Sequence, residues 1–310
     1  MHHLPCLLPG RRALPAAAAL TTASALLLTG CGGQEASKDP ADVVKAAVPK
    51  AQRTAGVLRI GSDLNYAPVE FRGADGKPDG LDPDLANALG KALGLRVEIV
   101  DTPFDKLIPG LNGRQFDVAM SAISDTPQRR DALGEDGKPT GQPGVDFVDY
   151  FIAGTSIIVQ KGNPKGIRTL DDICGRTVAL QRGTTQDEII GRQVAACSRQ
   201  GKPLQVHRFD SDSQALAEVA AGTAVAGFND FPVAAYAAKT TDDGNRFEVT
   251  GSQSQSSPYG IAVNKSDTAL RDAVAKGLDQ LIRSGEYDKI LAKWNVSAGA
   301  AQAAAINGGL

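Results

Sequence analysis

The stretch Asp82-Pro83-Asp84-Leu85-Ala86-Asn87-Ala88-Leu89-Gly90-Lys91-Ala92-Leu93-Gly94-Leu95-Arg96-Val97-Glu98-Ile99-Val100 decides how this chain is read. Asp82 can cap a helix with Pro83 in its first turn. Leu85, Ala88, Leu89, Ala92 and Leu93 then recur at the three-and-four spacing that gathers one apolar stripe on a helix. Gly94 ends that helix, and 95–100 reads as a strand. Upstream, Val57-Leu58-Arg59-Ile60-Gly61 is another short apolar strand, so 57–100 forms a β-α-β unit. A helix over 104–111 and a strand over 116–123 extend it into a parallel-sheet lobe.

The same alternation returns downstream. Strands are expected over 177–181, 204–209 and 224–228, with helices over 184–196 and 211–221 between them, giving a second small α/β lobe. Two extended segments, 149–156 and the Gly-Ser-Gln-rich 248–257, are placed to join the lobes. A strand over 259–264 and helices over 267–283 and 287–294 follow, and the Ala/Gly-rich last dozen residues are expected to fray. The fold class is therefore α/β with two lobes. Lobe 1 comprises 57–152 and 252–310, lobe 2 comprises 153–251, and a cleft lies between them.

The N-terminal region speaks to location. After Arg11 and Arg12, residues 13–28 are nearly all Ala and Leu, short for a membrane span but suited to the apolar core of a secretory signal. Leu28-Thr29-Gly30-Cys31 resembles a bacterial lipobox, which implies that 1–30 is a signal peptide and that Cys31 is acylated to anchor the chain on a membrane. A polar stretch over 31–56 reads as a flexible tether. The body is then extracellular, and the two cysteines left, Cys174 and Cys197, are expected to pair. Closing a loop of about 22 residues would stabilise by roughly 3 kcal/mol. With a net charge of −2 and dispersed Lys and Arg, nothing points to nucleic acid. His207 is the lone histidine after the signal, so neither a metal site nor a Ser/His or Cys/His nucleophile is indicated.

Open α/β sheets bind ligands at the carboxyl ends of their strands. Asp63 and Tyr66 follow the first strand; Ser121, Ala122, Ser124 and Arg129 follow the third. In lobe 2 the turn Gln181-Arg182-Gly183-Thr184-Thr185-Gln186 opens a helix, and the last strand runs into Asn229-Asp230. An Arg fork with hydroxyls and helix N-terminal N–H groups makes a carboxylate receptor, and Asp230 an ammonium receptor. Together they describe an α-amino acid.

The chain resembles the family 3 extracellular solute-binding proteins, the polar amino acid receptors of ABC importers, from about residue 57 to 294. The resemblance is carried by Leu58-Arg59-Ile60-Gly61-Ser62-Asp63, Tyr66-Ala67-Pro68-Val69-Glu70-Phe71, Gly80-Leu81-Asp82-Pro83-Asp84-Leu85, Leu107-Ile108-Pro109-Gly110-Leu111, Thr126-Pro127-Gln128-Arg129 and Gly183-Thr184-Thr185-Gln186, in that order. Departures are Leu81, Pro83 and an insertion over 134–144. The resemblance implies a periplasmic-binding-protein type II fold, no cofactor, an ABC permease as partner and a monomer. It also implies that Arg129, Ser124 and the Thr185 N–H hold the α-carboxylate. Asp230, with backbone near Ala122, takes the ammonium; Tyr66 and Phe104 sandwich the side chain, Asp63 reaches its polar end, and Gln181 and Gln186 line the facing wall. An Asp beyond two aromatic faces favours arginine, lysine, histidine or glutamine over acidic ligands. Two other classes share this fold, and the sequence speaks against both: an enzyme such as a dehydratase of cyclic acids, because no Ser/His or Cys/His arrangement is present and the carboxylates are better explained as ligand partners than as an acid/base pair, and the ligand-sensing ectodomain of a receptor, which would need a transmembrane helix after Cys31.

Overall fold

A computed structural model describes residues 39–134 and 136–309. The signal peptide and Cys31 lie outside the described residues. The first elements are helices α1 (Pro40–Ala47) and α2 (Lys50–Ala55), where a tether was expected. Asp39 caps α1 through Ala41 N–H, and Val44 and Val48 are buried in the main core. Two valines one helical turn apart are too few to signal an amphipathic helix, yet they suffice once a docking surface exists.

Lobe 1 is built as the sequence suggests. Strand β1 (Val57–Ser62) leads to the short strands β2 (Asn65–Tyr66), β3 (Glu70–Arg72) and β4 (Pro78–Asp79), which form a separate three-stranded sheet. Helix α3 (Leu81–Leu93) buries Leu81, Leu85, Leu89 and Leu93, and ends at Gly94 in the left-handed conformation, φ 72°. Its start differs from expectation. The cap position is Gly80, at φ 127°, where a Cβ would lie 2.4 Å from the Val69 carbonyl oxygen. Asp82, one residue inside the helix, turns inward instead. Strand β5 (Arg96–Asp101) pairs parallel with β1, followed by helix α4 (Leu107–Asn112), strand β6 (Val118–Ala119) and the short helix α5 (Pro127–Asp131). The strand expected over 116–123 regular-pairs at only two residues, because the chain leaves the sheet at Met120 to form the cleft wall.

Lobe 2 comprises strand β8 (Thr177–Gln181), helix α6 (Thr185–Arg199), strand β9 (Gln205–Phe209), helix α7 (Asp212–Ala221), strand β10 (Gly227–Asp230) and helix α8 (Phe231–Thr240). Its strands β8, β9 and β10 are parallel. Cys174 and Cys197 form a disulfide with Cα atoms 5.1 Å apart, joining the approach to β8 to the end of α6. Two long strands serve both lobes: β7 (Val145–Gln160) and β11 (Phe247–Asn264), paired antiparallel. The sheet order is β5-β1-β6-β11-β7-β10-β8-β9, so the parallel half of each lobe flanks this central pair. Helices α9 (Thr268–Ser284) and α10 (Glu286–Lys293) cover lobe 1. The expected fraying end is instead strand β12 (Ala300–Ile306), paired with β7. An alanine-rich strand carries no alternation to read, and the β7 edge provides what holds it.

Candidate functional site

The carboxyl ends of β1, β6, β8 and β10 converge on a narrow, tightly closed cleft. Its walls include Asp63, Tyr66, Glu70, Phe104, Ala122, Ser124 and Arg129 from lobe 1. Gln181, Thr184, Thr185, Gln186 and Asp230 come from lobe 2. Of the residues singled out in the sequence, Ser121 alone is not in the wall. It stands behind it, fully buried, accepting a hydrogen bond from Asp63 N–H and donating to Glu70 Oε1, both at 2.9 Å.

The lobes touch across the cleft. Tyr66 Oη donates to Asp230 Oδ2 at 3.1 Å and accepts from the Asp230 N–H at 2.9 Å. Gln181 Nε2 donates to Asp63 Oδ2 at 2.7 Å, and Arg129 reaches the Gly183 carbonyl at 3.2 Å. Arg129 also donates to the Ser124 carbonyl at 2.9 Å, and its guanidinium carbon lies 5.4 Å from the centre of the Phe104 ring. That stacking orients the fork while leaving donors for an incoming oxyanion.

Lobe 1 holds its wall rigidly. Ala122 sits at φ 47°, a left-handed conformation that costs a non-glycine residue roughly 1 kcal/mol. Asp82 fixes it by accepting from Ala122 N–H at 3.1 Å and from Tyr150 Oη at 2.7 Å. This is the role the inward-turned Asp82 has in place of a cap. In lobe 2, Thr184 caps α6 by accepting from Asp187 N–H, and Thr184, Thr185 and Gln186 bring the N-terminal end of α6, the positive end of its dipole, to the cavity wall. Gln186 Nε2 donates to Asp230 Oδ1 at 2.9 Å and to Thr155 Oγ1 at 3.2 Å.

Sequence reading gave Glu70 and Thr184 no role at the site. Both stand inside motifs quoted for other reasons, and Glu70 carried a usable signal: an acid set between Val69 and Phe71, where an apolar neighbourhood predicts a buried charge. Burial, then the neighbouring Asp82, pushes the Glu70 carboxyl well above the usual range. Burial likewise raises Asp82 and Asp230 to about 6 and, with Asp230 beside it, Asp212 to about 8. Asp63 is raised by burial and partly restored by hydrogen bonds from Asn65 and Gln181. Acids crowded in a dry cleft with one guanidinium form a site that gains when a cation enters.

Two α/β lobes joined by two long shared strands, with a polar cleft between them, define the architecture of a solute-binding protein. A family model described as bacterial extracellular solute-binding proteins, family 3, matches residues 58–297, and the chain belongs to that family. It is similar to the arginine-binding protein ArgT of Corynebacterium glutamicum, 28% identical over 89% of this chain and 86% of that one. A probable histidine-binding protein of Neisseria gonorrhoeae is 31% identical, covering 89% of this chain and 94% of its own. Among solved structures, an ancestral arginine-binding protein bound to arginine superposes with a TM-score of 0.67 at 33% identity, over 77% of this chain and 98% of that one. These relatives are named as binding proteins, not enzymes. No helix among the described residues is long and apolar enough to cross a membrane.

Proposed function

We propose that the chain captures one polar amino acid, basic side chains preferred, and delivers it to an ABC importer by hinge closure. The observation that carries this reading is the charge inventory of the cavity wall. Arg129 and Asp230 match the carboxylate and ammonium of an amino acid, which leaves Asp63 to face the remainder of the ligand. An acid without a cationic partner favours guanidinium, ammonium or imidazolium and opposes a second carboxylate. Tyr66 and Phe104 offer aromatic faces to the same group. Arginine, lysine and histidine therefore lead, and glutamine follows because Asp63 can accept from an amide.

In this reading Ser124 and the Thr185 N–H share the carboxylate with Arg129. Gln181 and Gln186 complete the wall, and Ser121 acts by holding Asp63. The lobes divide near 152/153 and 251/252, the protein works as a monomer, and a lipid on Cys31 keeps it at the extracellular face of the membrane. A thermal-shift competition tests the ligand class. Arginine, lysine or histidine should give the largest shifts, since binding stabilises in proportion to ln(1 + [L]/Kd). Glutamate displacing every basic and amide amino acid would overturn it. Cys31→Ser should move the protein from the membrane fraction to the soluble one; an unchanged distribution in fractionated cells argues against the anchor.

A further inference from the structure

Residues beyond 297 lie outside the family match, and none of them lines the cavity. After β12 lays Ala305 beside Asp149 and Ile306 beside Val148, the chain turns into buried charge behind α5. Gly308 N–H donates to Asp149 Oδ2 and Gly309 N–H to Asp125 Oδ2, both at 2.9 Å. The Arg130 guanidinium donates to Asp125 Oδ1 at 2.8 Å and to the Gly309 carbonyl at 2.7 Å. Asn307 secures the turn, its side-chain oxygen accepting from Phe147 N–H at 2.8 Å. Both carboxylates are buried, Asp125 fully. A Cβ on Gly309 would lie 2.1 Å from the Asp125 carbonyl oxygen, so only glycine fits there.

We propose that residues 307–309 are a latch that positions Arg129 for the ligand, acting through Arg130 and Asp125. Helix α5 has five residues, none of them buried, and its one side-chain cap is Thr126. A helix this short does not hold its own geometry. Arg129 and Arg130 stand about 100° apart around it. One points to the cleft, where it meets Phe104 and Ser124; the other points to the latch. Buried charge-assisted hydrogen bonds on Arg130 therefore fix the turn on which Arg129 is carried. Because β12 rides on the hinge strand β7, the latch also ties that turn to the joint between the lobes.

The inference rests on the reading of Arg129 as the carboxylate clamp, and a double-mutant cycle separates the two. L-Arginine and, in parallel, L-glutamine are titrated calorimetrically into the full chain, a deletion of 307–310, Arg130→Gln and Arg130→Lys, each with Arg129 intact and with Arg129→Ala. With Arg129 present, the deletion and Arg130→Gln should weaken binding about tenfold, and Arg130→Lys should recover part of the loss. With Arg129→Ala, the same changes should cost less than about twofold. Equal losses in both backgrounds, or a folded deletion variant within about twofold of wild type, overturn the latch. If the deletion does not fold, Arg130→Gln carries the same cycle. Arg129→Ala binding like wild type would remove the clamp and the latch with it, and no binding of either probe to the unaltered chain would remove the amino acid reading itself.

Discussion

The two lobes reach the same cavity by different means. Lobe 1 packs β1, β6 and β11 against α3, α9 and α10 in one large apolar cluster, with Leu58, Leu81, Leu85, Ile261 and Tyr287 almost fully buried, beside a smaller cluster around Leu107, Phe116 and Phe147. Onto that base it mounts Asp63, Glu70 and Arg129. Lobe 2 divides its interior into two smaller clusters, one around Val178, Leu180 and Phe228 and one around Val219, Ala234 and Phe247, and adds the Cys174–Cys197 disulfide. Its wall has one acid, Asp230, with two amides and the start of α6. Charges are costly to bury, and the lobe with the larger core carries most of them. The lesson is an uneven division of charge: lobe 1 sets Asp63, Glu70 and Arg129 in the wall, and lobe 2 sets Asp230 among neutral donors.

The sharpest challenge to that division is Arg129→Ala. Losing a charge-assisted contact in a closed cleft should cost about 3 kcal/mol of arginine binding, read by titration calorimetry. Removing the disulfide should cost a similar roughly 3 kcal/mol, but in stability. In a Cys174→Ser/Cys197→Ser variant, amide exchange should accelerate in β8, β9 and α6 while α3 and α9 keep their protection. Acceleration spread evenly over both lobes would erase the contrast. Asp63→Asn comes next: arginine binding should weaken by about 2 kcal/mol and glutamine binding by under about 0.5 kcal/mol, because an amide does not need the charge.

The smallest effect is in pH, and it turns on lobe 2. Burial raises Asp230 to about 6, while on the proposed reading the ligand ammonium needs it ionised. Arginine affinity should therefore fall as pH drops below about 6, approaching tenfold per unit. Stability of the free protein runs the other way. A raised carboxyl binds its proton more tightly when folded, so this group adds stability as pH falls from about 6 toward the ordinary carboxyl range, and that gain is lost as pH rises back through about 6. Calorimetry and thermal melts over the same buffers check both signs.

Much of this was legible in the sequence. The 82–100 stretch gives helix, stop and strand because its leucines repeat at helical spacing and glycine follows them. The ends of β1, β6, β8 and β10 could be found because the polar residues there interrupt apolar strands. What stayed hidden depends on distant partners. Glu70 lines the wall only because Ser121 and Asp82 surround it. The α1 helix forms because Val44 and Val48 meet α3 and α9, and β12 because the β7 edge awaits it. Neither segment has periodicity enough to declare itself.

The pairing of β7 with β11 is irregular where the lobes meet. Register shifts fall between Thr250 and Ser254, between Ser254 and Ser257, and again at Tyr259 and Gly260. Gln255 stands at φ 49°, and Pro258, opposite Ile152, has no N–H to give. A joint whose ladder is already interrupted can bend without breaking many backbone bonds. The resistance to opening then resides in the wall itself, in Tyr66 with Asp230, Gln181 with Asp63 and Arg129 with Gly183. On the proposed hinge closure, the dwell time of the shut state becomes a property of three contacts, two between side chains and one from Arg129 to a backbone carbonyl, so substitutions that tune recognition should also retime release.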